Sequence, residues 1–132
     1  KWEMYVKKIQ IEARVLGDLA MNNIVPLASK YEAILLDKAW KMKELGLDAK
    51  ADIELIRTIQ EHTAAIQQLT TEMVEARKVA NRIASEREKA IAYHDTVAPM
   101  LESIRYHIDQ LELVVDNELW TLPKYRELLF IV

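Results

Sequence analysis

Three histidines, His62, His94 and His107, are the side chains in this 132-residue sequence best suited to acid–base or metal chemistry. A carboxylate-bridged metal pair in a helical bundle needs Glu-x-x-His on two helices and a Glu from each of two others. No histidine here has a carboxylate or a second histidine three or four residues away. That spacing argues against a bundle metal site. His94 is the odd one, because it falls on an otherwise apolar helical stripe. Its functional reading is a buried acid–base group. With no orienting carboxylate one turn away, the better reading is a core-edge ring with one nitrogen partnered. His62 and His107 have polar neighbours and read as solvated.

Other candidate groups are weaker. Glu86/Glu88 and Asp116/Glu118 are two residues apart, a spacing at which helical side chains do not face each other. They read as solvated faces and helix-end charges. Tyr5, Tyr31, Trp40, Tyr93 and Tyr106 read as core and interface filler rather than a cofactor box. Gly17 and Gly46 are the only glycines, so no glycine-rich phosphate loop can form. The expectation is a chain with no catalytic, cofactor-binding or metal-binding residue of its own.

The tail, 118–132, reads ELWTLPKYRELLFIV. A chain terminus is normally polar and frayed unless something ties it down. This one carries too much apolar surface to be left in water. Trp120, Tyr125, Arg126, Leu128, Leu129 and Phe130 are candidate interface anchors, since Trp, Tyr and Arg dominate interface energetics. The tail docks either on its own bundle or on a neighbouring subunit, and the residues alone leave both open.

Long helices must position these groups. Two glycines and three prolines among 132 residues argue against a turn-rich β fold. The length suits a single domain spanning 1–132. The first helix should run from about residue 2 to Leu45, with Ile9, Ala13, Leu16, Ala20, Leu27 and Ile34 on its apolar stripe. Pro26 cannot donate a backbone hydrogen bond and crowds the carbonyl of Asn22, so a kink or short break is expected near 22–26. Gly46 suits the left-handed position that ends a helix, and Asp48 suits the cap of the next.

The second helix should span 49 to about 82, with Ile56, Ile59, Thr63, Ile66, Thr70 and Met73 on one face. Ser85 and Glu88 form a capping box that opens the third helix. His94, Val97, Leu101, Ile104, Ile108, Leu111 and Val115 then repeat at steps of three and four. Pro123 suits the start of a short final helix, 123–130. The predicted fold is all-α: an elongated antiparallel bundle of about three long helices, the first kinked or broken near Pro26, plus a short C-terminal helix.

Charge and composition exclude several classes. The net charge is −3, from 18 basic and 21 acidic residues, and no basic run exceeds two. Nucleic-acid binders show a basic patch or stripe, so no nucleic-acid partner is expected. No apolar run approaches the ~20 residues that span a bilayer, and no membrane partner is expected either. The absence of cysteine fits a reducing cytoplasm. The chain opens on Lys1 without Met, and we expect it to be a piece of something longer.

Three separated blocks carry a family resemblance. ARVLGDLAMNNIVPLASKY (13–31), EKAIAYHDTVAPMLESIRYHIDQL (88–111) and the tail (118–132) stand in the same order as in the C-terminal region of type III glutamine synthetases. The chain resembles that region over most of its length. One departure is Thr121, where the family usually has proline. The resemblance implies a large bacterial enzyme of nitrogen assimilation that joins ammonia to glutamate using ATP and a divalent metal such as magnesium. It also implies that those cofactors sit on a β-sheet core upstream, so no family site residue maps onto this segment. Type III enzymes form stacked rings. The implied role is therefore structural: a non-catalytic C-terminal domain for oligomerisation, partnered by the rest of the glutamine synthetase chain and neighbouring subunits of its homo-oligomer. The alternative is a stand-alone helical protein–protein interaction module. A regulatory, effector-binding role is a third possibility.

Overall fold

The computed structural model describes residues 1–115. The tail anchors Trp120, Tyr125, Arg126, Leu128, Leu129 and Phe130 lie outside the described residues, as does the expected helix 123–130. The described residues are all-helical, with no strand. Five α-helices follow in order: α1 Trp2–Leu19, α2 Val25–Glu44, α3 Lys50–Asn81, α4 Glu86–Ala92 and α5 Ala98–Val114. Wider π-helical turns at Ala20–Ile24 and Tyr93–Val97 join α1 to α2 and α4 to α5. The described residues thus make three helical runs.

The two π turns have one cause. Each ends two residues before a proline, Pro26 in the first run and Pro99 in the third. A proline ring in a regular α-helix collides with the carbonyl four residues back. Here the amide of Val25 donates to the carbonyl of Ala20, and that of Ala98 to Tyr93, five residues back in both cases. The wide turn makes room for the ring while the helix continues.

Each π turn also holds one extra residue, which rotates everything beyond it by about 100°. The core face of the first run therefore changes register. Val6, Ile9, Ala13 and Leu16 are buried before the turn, Ala20 and Ile24 within it, and Val25, Ala28, Leu35 and Ala39 after it. Ile34, expected on the buried stripe, is instead half exposed, and its neighbour Leu35 takes the core position. In the third run Ala90, Tyr93 and Val97 are buried, so Tyr93 occupies the place that the sequence reading gives to His94.

The connections are locally determined. Gly46 adopts φ +75°, the left-handed conformation that only glycine takes without strain. The amide of Gly46 donates to the carbonyl of Lys43 at 3.0 Å and that of Leu47 to Met42 at 2.8 Å, the paired bonds of a Schellman ending. Asp48 Oδ1 accepts from the amide of Lys50 at 2.9 Å, which satisfies a donor at the start of α3. Ser85 Oγ accepts from the amide of Glu88 at 3.3 Å at the start of α4.

Pairings across the runs give their directions. Lys38 bridges to Asp52 at 3.2 Å, and Gly17 lies against Thr70 and Met73, so α1 and α2 run antiparallel to α3. Asn81 meets Tyr93 and His62 meets His107, so α5 runs back along α3. The main seam joins α3 to α5, with α2 also on α3 and α1 on α4. Ile59, Ile66, Met73, Val97, Ile104, Ile108 and Leu111 fill it and are almost wholly buried. Seven such side chains contribute about 1.5–3 kcal/mol each against exposure.

Candidate functional site

The three histidines are placed differently from the sequence reading. His94 is not at the edge of the core: its side chain is 74% exposed, and its Nδ1 lies 3.1 Å from Asp95 Oδ1. The π turn at Tyr93–Val97 rotates it outward. His62 and His107 are not simply solvated. Both are half buried, and their Nδ1 atoms stand 2.9 Å apart across the α3–α5 seam. The Tyr106 ring stands edge-on to both imidazoles, with centroids 6.4 Å from His62 and 5.1 Å from His107.

A sequence signal for this pair existed. His62 lies 23 residues before Ser85 and His107 lies 22 residues after it. Two helices of equal rise leaving one connection bring such residues to the same level. Spacing within a single helix, the pattern sought for metal sites, says nothing about this.

A close imidazole pair has a pH consequence. Burial holds His107 below the usual histidine range, and the neighbouring His62 pushes in the same direction. The unfolded chain takes this proton near pH 6.5, while the folded chain resists it until lower pH. Between those two values the unfolded state binds more protons, so stability falls as pH drops below 6.5 and is unaffected by this group well above it. The midpoint of urea unfolding should therefore fall between about pH 7 and about pH 5, and His107→Gln should flatten that fall. An equal fall in the variant would assign it to other groups.

A second polar cluster joins three elements. The buried Tyr93 hydroxyl donates to Asn81 Oδ1 and accepts from Gln10 Nε2 at 3.1 Å, and Gln10 Nε2 also reaches Asn81 Oδ1 at 3.1 Å. It ties α1 and the end of α3 to the π turn and so gives a buried phenol its partners. Beside it, Lys1, Trp2, Tyr5, Ala90, Ile91, His94 and Asp95 line a mostly apolar cleft of about 420 Å³. Tyr5 is held above the usual phenol range by burial first, then by the carboxylates of Glu12 and Asp95. Glu86 and Glu88 stand exposed in the first turn of α4, while Asp116 and Glu118 lie outside the described residues. Among the described residues no three His, Cys, Asp or Glu side chains converge as a metal-binding group.

The outer surface carries large apolar side chains. Met4, Ile11 and Val15 share one face of α1, at exposures of 75%, 61% and 62%. Leu36 and Trp40, one turn apart on α2, are more than half exposed. Trp40 and Tyr106 thus belong to the surface, whereas Tyr93 is true core. No helix among the described residues is long and apolar enough to cross a membrane.

The described residues are all-helical and carry outward apolar faces on α1 and α2. Residues 1–43 match the family described as glutamine synthetase C-terminal domain. Over 97% of its length the chain is 52% identical to a glutamine synthetase of Bacteroides fragilis (strain YCH46), of which it spans 18%. It is 23% identical to a type-3 glutamine synthetase of Dictyostelium discoideum over 98% of its length, and 22% identical to a glutamine synthetase of Butyrivibrio fibrisolvens over 97%. The chain is a relative of the C-terminal part of glutamine synthetases, the type-3 form among them. It spans about a fifth of the length of these relatives.

Proposed function

We propose that this chain is the non-catalytic C-terminal domain of a longer, cytoplasmic glutamine synthetase, an elongated helical bundle that supports assembly of the homo-oligomer. The parent enzyme would join ammonia to glutamate with ATP and a divalent metal such as magnesium, in nitrogen assimilation. The observation that carries the reading is the outward apolar face of α1, Met4, Ile11 and Val15, on a chain that matches only 18% of a 52%-identical glutamine synthetase. Side chains of this kind gain about 1.5–3 kcal/mol each on full burial. The remaining four-fifths of such an enzyme, or a neighbouring subunit, is the surface available to cover them.

In this reading the parent's ATP and magnesium are held outside this segment. Magnesium takes oxygen ligands in octahedral array, and among the described residues no three carboxylates or histidines converge. No step of the ligase reaction is therefore assigned to any residue of this chain. The tail anchors Trp120, Tyr125, Arg126, Leu128, Leu129 and Phe130 belong to the same proposal, as contacts to the bundle or to a neighbouring subunit.

The reading is tested by assaying the isolated 132-residue chain for ATP-dependent formation of glutamine from glutamate and ammonia. No turnover above buffer is expected. Turnover that survives purification to homogeneity would overturn the non-catalytic assignment.

A further inference from the structure

We propose that His62 of α3 and His107 of α5 form a two-imidazole site for a borderline divalent transition metal such as Zn2+, clasping the two helices at mid-length. Two features carry it. The Nδ1 atoms face each other at 2.9 Å across separate helices, with ring centroids 5.2 Å apart and the planes inclined at 51°. Two nitrogens bound to one zinc at the usual 2.0–2.1 Å stand about 2.9 Å apart at a right angle and about 3.3 Å apart in a tetrahedron. The observed separation lies at the lower end of that range; on binding, the proton of the Nδ1···Nδ1 hydrogen bond is released to solvent or moves to Nε2, and the rings turn until both lone pairs converge on one point.

The environment suits such an ion. Neutral imidazole is the ligand borderline metals prefer, and both rings are only half buried, so the outer side of the pair is open to entry. Ile59, Ile66, Ile104 and Ile108 flank the histidines on their own helices and are almost wholly buried. Tyr106 stands edge-on to both rings. Among the described residues no third His, Cys, Asp or Glu joins the pair, so water completes the coordination. The site is distinct in kind from the oxygen-ligand magnesium centre of the proposed parent reaction.

The test is a Zn2+ titration of the full 132-residue chain, read by calorimetry and by the imidazole nitrogen resonances. One zinc per chain is expected, shifting Nδ1 of His62 and of His107 and leaving His94 in place. His62→Gln and His107→Gln should each weaken binding about tenfold or more, and His94→Gln should not change it. The zinc-bound chain should unfold at a higher temperature, since a ligand of the folded state stabilises it by mass action. The proposal fails if millimolar Zn2+ is not taken up. It also fails if the shifted resonances belong to His94, or if affinity is unchanged in His107→Gln. The resonance assignments need only the wild-type chain, so a variant that folds poorly does not spoil the test.

Discussion

Tyr93→Ala should destabilise the chain by about 3–5 kcal/mol, while its neighbour His94→Ala should change stability by less than about 0.5 kcal/mol. Tyr93 is wholly buried in the π turn, and its hydroxyl holds Asn81 and Gln10 together. Removing the ring leaves a cavity between α1, α3 and the turn and also frees two polar partners. His94 is largely exposed, against Asp95 and the ring of Tyr5. The stripe read from the sequence places His94 inside instead. Urea unfolding followed by circular dichroism distinguishes the two. Tyr93→Phe separates the contributions further: it keeps the packing and loses only the hydroxyl, at about 0.5–1.5 kcal/mol. If His94→Ala proves the costlier change, the extra residue at Tyr93–Val97 is misplaced.

The second large effect concerns the outer face of α1. Ile11→Asp with Val15→Asp should leave the isolated chain nearly as stable as before, because both positions are exposed by more than half. In the proposed parent enzyme the same pair should disrupt assembly. Two carboxylates forced into an apolar interface lose the burial of two side chains, about 1.5–3 kcal/mol each, and add the cost of unpaired buried charge. Mass photometry of the parent should then show smaller species than the unaltered enzyme. An unchanged mass would remove α1 from the interface and leave Leu36 and Trp40 of α2, or the tail, as the contact.

Much of the helical layout was legible in the residues, for local reasons. The second helix, expected over 49 to about 82, is Lys50–Asn81, because its apolar spacing is uninterrupted and Asp48 meets the amide of Lys50 at its start, although Ala49 rather than Asp48 takes the cap position. Gly46 and Ser85 mark ends through backbone chemistry that needs no tertiary contact. What failed was the register across each proline. Pro26 and Pro99 signalled disturbance, but a kink, a break and a π turn all relieve the same clash. Only the last adds a residue to the turn and moves the core from Ile34 to Leu35 and from His94 to Tyr93.

The histidine pair escaped for a different reason. Its two members approach through the packing of α3 on α5, which depends on how the connection at 82–85 sets the level of the two helices. Polar neighbours in sequence made both look solvated, although each lies at the edge of the seam beside a buried isoleucine. The apolar faces of α1 and α2 were hidden by the same limit. Met4, Ile11 and Val15 follow helical spacing as well as the core stripe does, and only the packing shows which face is covered.

The most direct measurement is sedimentation velocity of the parent glutamine synthetase with the segment homologous to this chain deleted. The account predicts smaller species than the intact enzyme forms, with the ligase activity of the full assembly lost alongside. A truncated enzyme that sediments as the intact oligomer and keeps its activity would contradict an assembly role for this domain.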